Sequence, residues 1–195
     1  MIELTEDLYI AKGAERECYV HPQDDTKVVK IQFNNNINRN QNDLDIYYYN
    51  YLKTKNISYL HIAKYYGTIE TNKGIGLIFD RIIDYNGSLS KSFEDIITNK
   101  ILSKTQQGFI LDNLSTYLKE NMIVFGDVVL SNILCQEYKK DHYRLMIIDG
   151  LGARRFGFKL WLHIHSKLFT KFRIYKQWKK LIDNYNKNPN GIAYI

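Results

Sequence analysis

The sequence predicts an α+β protein of a single domain, 1–195, with a small antiparallel sheet and one helix over 1–83 and a mainly helical part over 84–195. Three observations carry this expectation. Residues 1–83 contain short runs of β-branched and aromatic residues separated by turn residues, the pattern of strands. Residues 92–121 and 159–186 place apolar residues three and four apart, the period of helices. At 195 residues, 45% hydrophobic and 25% charged, the chain has the balance of a soluble globular domain with one core.

Taken in order, Ile2 to Ile10 and Cys18 to Val20 are expected as two strands joined by a turn around Gly13, with Lys27 to Phe33 as a third. After the Asn-rich stretch from Asn34 to Asn42, the segment Asp43 to Lys55 sets Leu44, Tyr47, Tyr48, Tyr51 and Leu52 near helical spacing. Lys64 to Glu70 and Gly74 to Arg81 make a hairpin that turns at Asn72, Lys73 and Gly74. Past Asn86 and Gly87 the period becomes helical, with helices expected at Ser92 to Leu102 and Gln106 to Asn121. Val124 to Phe125, Ile133 to Gln136 and Leu145 to Ile148 are short strands, and Lys159 to Asn186 is helical, aromatic and basic.

Several function classes drop out early. Two cysteines, Cys18 and Cys135, make no disulfide framework, and no Cys/His group has zinc spacing. The longest apolar runs, such as Gly74 to Phe79, are too short to cross a bilayer, and charges appear early at the N-terminus in place of an apolar signal segment. A cytoplasmic location is therefore expected.

The candidate chemistry lies between the predicted short strands. An apolar run delivers Asp127 into Gly126-Asp127-Val128-Val129-Leu130-Ser131-Asn132, and Ile148-Asp149-Gly150 follows seventeen residues after Asn132. This spacing matches the catalytic loop of kinases, where an Asp faces the attacking hydroxyl, an Asn five positions on binds metal and an Asp before Gly supplies a second ligand. Carboxylate and amide oxygens beside the phosphates of ATP suit Mg²⁺. Each piece alone is equally a turn or a cap. Their joint spacing is the stronger signal, and Asp127 is expected as the catalytic residue with Asn132 and Asp149 as metal ligands.

The upstream half agrees. Lys30 lies in Val28-Val29-Lys30-Ile31, a strand-borne lysine among apolar neighbours, the place from which a kinase lysine reaches ATP phosphates and is held by an acid of the next helix. That helix offers Asp43 and Asp45, and Asp45 is preferred because it lies on the face that approaches the sheet. The turn Lys12 to Cys18 would cover the phosphates, with Gly13 as its single glycine. Along Gly76 to Ile83, Phe79 would guard an adenine pocket while Asp80 and Ile82 offer backbone groups to the base; a buried strand with its exit turn fits the same residues.

The run Gly13 to Ile31, with Cys-Tyr-x-His-Pro at Cys18 to Pro22, resembles the PhoP regulatory network protein family, also called YrbL-like, of the protein-kinase-like superfamily. Matching stretches also include Tyr48-Tyr49-x-x-Leu52, Tyr66 to Thr71, Asn132 to Cys135 and Trp178 to Ile182, so the resemblance spans nearly the whole chain. It implies a minimal protein-kinase-like fold with lobes at 1–83 and 84–195, the second reduced. Family members can lack the catalytic-loop Asp, whereas this chain has Asp127. The short stretch after Asp149 leaves little room to hold a protein substrate, so a carbohydrate or glycan hydroxyl is the expected acceptor. A nucleotide-binding regulator without catalysis and a protein kinase are the alternatives.

Charge is concentrated at the C-terminal end. Residues 153–195 hold ten of the 27 Lys and Arg residues and one of the 21 acidic ones, Asp183. Aromatic residues such as Phe158, Trp161, Phe172 and Tyr175 are interleaved with them. An amphipathic helix packed on the domain, an anionic glycan site and contact with an anionic membrane surface all fit this pattern. The membrane option would place the protein peripherally at the inner face. Nucleic acid is disfavoured because no recognised motif accompanies the charge.

Overall fold

The computed structural model describes residues 1–33 and 41–187. A 3-10 turn at Glu6–Leu8 leads into β1 (Tyr9–Lys12), β2 (Arg16–His21) and β3 (Asp24–Gln32), then α1 (Gln41–Thr54) and the hairpin of β4 (Tyr65–Thr71) and β5 (Gly74–Asp80). These strands form an antiparallel sheet in the order β1-β2-β3-β5-β4. The second part runs β6 (Lys91–Ser92), α2 (Phe93–Thr98), α3 (Lys104–Glu120), β7 (Ile133–Lys139), β8 (His142–Ile147), α4 (Phe158–His165) and α5 (Lys167–Lys187). Its β6, β7 and β8 make a second antiparallel sheet. The class is α+β, as the periodicities predict. Among the described residues no helix is long and apolar enough to cross a membrane. Most of the Asn-rich stretch lies outside the described residues.

The structure departs from the expected elements in four places. Val124 to Phe125 is not a strand, and Phe125 makes only a single bridge to Leu151. Ile2 to Ile10 is not a full strand: Ile2 bridges Thr71 alone, and only Tyr9 and Ile10 enter β1. The alternation of Ile2 and Leu4 serves to bury both on the back of the sheet against Tyr19, Val29 and Ile31. The helix expected at Ser92 to Leu102 stops at Thr98, and Ser103 opens a new one with a capping box to Gln106. The long basic helix is broken at Ser166, which is extended and whose hydroxyl accepts from the Phe169 N–H at 3.3 Å.

Period-two alternation on β3 decides which way Lys30 faces. Val29 and Ile31 point to the back cluster, so Val28 and Lys30 point the other way, into the space between the two sheets. The main core continues from Val28, Leu77 and Phe79 of the first sheet through Leu44, Tyr48 and Leu52 of α1 to Leu111, Leu114, Ile133 and Ile147 beyond. Hydrogen bonds fix the junction. Tyr48 Oη accepts from the Val124 N–H at 3.0 Å, and Tyr49 Oη donates to the Ala63 carbonyl at 2.9 Å. The Ala63 N–H donates to the Ile147 carbonyl and the Ile147 N–H to the His61 carbonyl, at 3.0 and 2.9 Å.

His163 reports on the packing of α4 against α5. It is buried, stacks on Phe169 at 5.4 Å between centroids, and neither ring nitrogen has a hydrogen-bond partner. Burial first, and Arg173 second, push its pKa from 6.5 down to about 4. The unfolded chain therefore binds this proton more readily than the folded one, so the contribution is complete above about pH 6.5 and is lost as pH falls towards 4. Thermal melts are expected to show a melting temperature that drops across this window, with His163→Phe flattening the drop. A His163→Phe profile parallel to wild type would assign the acid sensitivity to other groups.

Candidate active site

A cleft of about 770 Å³ opens between the first sheet and the loops around β7 and β8, a volume typical of small-molecule sites. Gly13, Lys30, Asp80, Ile82, Asp127, Asn132 and Asp149 all line it. Residues far apart in sequence are brought there by three local devices. The β1–β2 turn overhangs the cleft, with the Gly13 N–H donating to the Arg16 carbonyl at 2.8 Å. Strand β3 presents Lys30 from the sheet. The loops after α3 and after β8 supply the acids.

Those two loops are tied together by backbone. The N–H groups of Gly126 and Asp127 both donate to the Gly150 carbonyl, at 2.8 and 2.9 Å. Asn132 sits at the end of a 3-10 turn, Leu130–Asn132, and its Nδ2 donates to the Asp127 carbonyl at 3.2 Å. The Ile148 N–H donates to the Asn132 carbonyl at 3.0 Å, which carries the chain directly to Asp149. Gly150 has φ +78°, and a Cβ there would fall 2.6 Å from Asp127 Cβ. A glycine must therefore follow Asp149 for the two acids to share one site.

The charges form a connected set. Lys30 Nζ donates to the Ile148 carbonyl at 2.5 Å, stands 3.9 Å from Asp149 Oδ2 and lies 4.7 Å from the Phe79 ring centroid. Arg16 of β2 bridges two acids, with one amino group 2.5 Å from Asp45 Oδ2 and the other 2.6 Å from Asp149 Oδ1. Arg154 donates to Asp127 Oδ1. Burial alone would raise the Asp149 carboxyl, but Lys30 and Arg16, with the Gly150 N–H, hold it well below the usual carboxylate range. Burial works against the Arg16 charge, and its two acids more than restore it.

Asp45 is corrected in its partner. It turns from α1 towards the site, yet its carboxylate meets Arg16 and the amide of Gln41, and Lys30 is paired with Asp149 instead. The physical reason is reach: Arg16 lies two residues from Cys18, which faces Lys30 in the β2–β3 ladder, so its long side chain crosses in front of α1 on the same side of the sheet. Nothing in the sequence singles out Arg16 until β2 is placed beside β3; alternation from Cys18 is the signal that points to it. Arg154, which reads as part of a basic tail, is the other addition.

The edge of the cleft at Asp80 to Ile82 is already partly bonded. The Asp80 and Arg81 N–H groups donate to the Lys64 and Thr26 carbonyls at 3.1 and 2.8 Å, and the Ile82 carbonyl accepts from Ser90 at 3.3 Å. The Asp80 carboxylate is held by the Lys64 N–H and the Tyr66 hydroxyl, at 2.8 and 2.7 Å. The Asp80 side chain is thus engaged within the protein.

Among the described residues, no three His, Cys, Asp or Glu side chains are grouped to hold a metal ion. Asp149, with a third of its side chain exposed, and the amide oxygen of Asn132 are donors suited to a hard cation, and further oxygens would have to come from a ligand. The donor set thus fits Mg²⁺ carried in with phosphates better than a metal held by protein alone.

Fold and cleft together define an α+β protein with a largely apolar cleft between its two parts, whose polar groups are two acids of adjoining loops, an amide and cations delivered by the sheet. The chain belongs to the family of the PhoP regulatory network protein YrbL, whose pattern it matches over residues 2–186. It is 28% identical over 157 residues to the uncharacterized protein YrbL of Escherichia coli (strain K12), a match covering 78% of this chain and 74% of that one. The uncharacterized protein YrbL of Shigella flexneri matches to the same extent.

Proposed function

We propose that this protein is an ATP-dependent phosphotransferase of the protein-kinase-like superfamily, with a minimal kinase fold and a reduced second lobe. The observation that carries this proposal is the convergence of Lys30, Asp127, Asn132 and Asp149 on one cleft from separate elements, at the spacing that phosphoryl transfer uses. Mg²⁺-ATP, when bound, supplies the phosphoryl group. Lys30 then aligns phosphate oxygens, Asn132 and Asp149 offer oxygens to the metal, and Asp127 orients the acceptor hydroxyl. The Gly13 turn would cover the phosphates, and the backbone at Asp80 to Ile82 would face the base; Gly13, Asp80 and Ile82 all line the cleft. Such chemistry rests on positioning and charge neutralisation more than on covalent steps.

Arg154 and Arg155 line the cleft beside Asp127, which favours a hydroxyl carried by an anionic carbohydrate or glycan. ATP as donor agrees with a cytoplasmic site of action. A second function, a nucleotide-binding regulator without catalysis, is favoured by Arg16, which joins Asp45 to Asp149, and by the hold of Arg154 on Asp127.

Calorimetry with ATP tests both. Binding is expected to require Mg²⁺ and to weaken at least tenfold, about 1.4 kcal/mol, in Asp149→Asn. No binding at about millimolar ATP would sink the enzyme and the regulator together. Transfer of labelled phosphate to a glycan acceptor selects the enzyme, and binding without transfer across an acceptor screen selects the regulator.

A further inference from the structure

A surface helix needs one apolar stripe to pack, and α5 has two. Ile174, Gln177 and Leu181 are buried against the rest of the protein. On the opposite side Leu168, Phe172 and Tyr175 are 82%, 58% and 68% exposed. At 3.6 residues per turn these three fall within about 60° of one another, so they form a row. Single exposed apolar residues are ordinary, whereas a row at helical spacing is not.

The row is bordered by charge of one sign. Lys171 falls on one flank of it and Lys176 on the other, and Lys179 continues its line; all three are exposed. Helix α4 adds an outward aromatic stack, with Phe158 and Trp161 at 5.6 Å and Trp161 and His165 at 4.7 Å between centroids. Lys159 and Lys167 stand exposed beside it. The charge chooses the occupant. A second copy of the chain would set these lysines against each other, while a sheet of phosphate headgroups over an acyl boundary complements both the cations and the apolar row.

We infer that the α4–α5 face docks on a membrane surface of anionic phospholipid. Trp161, Leu168 and Phe172 enter the boundary between headgroups and acyl chains, and the lysine stems extend so that their ammonium groups stay at the phosphates. This face is separate from the cleft, so the inference stands whether or not the proposed activity does.

Co-sedimentation of the full chain with vesicles of phosphatidylcholine, with and without phosphatidylglycerol, tests it. The protein is expected to pellet with the anionic vesicles, at least tenfold less with phosphatidylcholine alone, and less in high salt. Tryptophan emission should move to the blue on binding, with the shift lost in Trp161→Phe. Leu168→Glu with Phe172→Glu should reduce pelleting at least tenfold while the melting temperature holds, since both side chains are exposed. Lys171→Gln with Lys176→Gln, which leaves all apolar groups in place, should weaken binding to the anionic vesicles alone. Pelleting equal on both vesicle types, pelleting on neither, or binding unchanged in the lysine variant would overturn the inference. So would a wild-type dimer in sedimentation velocity that Phe172→Glu dissolves in the absence of vesicle binding.

Discussion

Asp127→Asn is expected to lower turnover by roughly a hundredfold or more while fold and nucleotide binding persist. The separation follows from how the residue is held. Its loop is fixed by backbone, with the Asp127 N–H donating to the Gly150 carbonyl and its own carbonyl accepting from Val129 and from Asn132 Nδ2. An amide in place of the carboxylate leaves all three bonds intact. What changes is the charge that orients an acceptor hydroxyl and the partner of Arg154, itself 61% exposed, an ion pair worth at most about 1 kcal/mol at such exposure. A structural role for Asp127 predicts the reverse: a lowered melting temperature, with any residual hydrolysis of ATP proportional to folded protein. Arg154→Gln supplies the control, since it removes the same ion pair and keeps the carboxylate. Equal activity of Asp127→Asn and wild type on one acceptor would remove Asp127 from catalysis.

Much of this is legible in the sequence, and the rest is not, for three separate physical reasons. The strand period set β3, β4 and β5 nearly in place, and the single positions Asp127, Asn132, Asp149 and Lys30 all face the cleft. These features depend on local spacing and on which way a strand alternates. The ends of elements depend on something else. Ile2 and Leu4 alternate like a strand because they cover a sheet, and a covering segment buries the same residues without a ladder. Ser103 and Ser166 interrupt helical patterns through their hydroxyls, a choice that competes closely with continued helix. Arg16 and Arg154 were hidden for a third reason. A long cation reveals its partner only when the strand at 16 and the loop at 149, or the loops at 127 and 154, meet in three dimensions.

Asp45→Ala is expected to destabilise the fold by about 3 kcal/mol, the lower end of the range for breaking a buried ion pair. Both partners are nearly inaccessible, Asp45 at 4% and Arg16 at 7% exposure, and burial pushes the Asp45 carboxyl up while Arg16 pulls it back. Removing the acid leaves a buried guanidinium with Asp149 as its remaining carboxylate, which is why the loss should not reach the top of the range. For a chain of this size the melting temperature should fall by roughly 6–12 °C. Replacing the pair together, Asp45→Leu with Arg16→Met, should recover part of that loss, because it avoids the unpaired guanidinium while Asp149 keeps Lys30 at 3.9 Å in place of two cations. The cycle also decides between two assignments of the acid. If Asp45 serves Arg16, as the 2.5 Å contact has it, their coupling exceeds about 1 kcal/mol and that of Asp45 with Lys30 is smaller. If Asp45 instead holds Lys30, the larger coupling moves to the Asp45→Leu and Lys30→Met cycle.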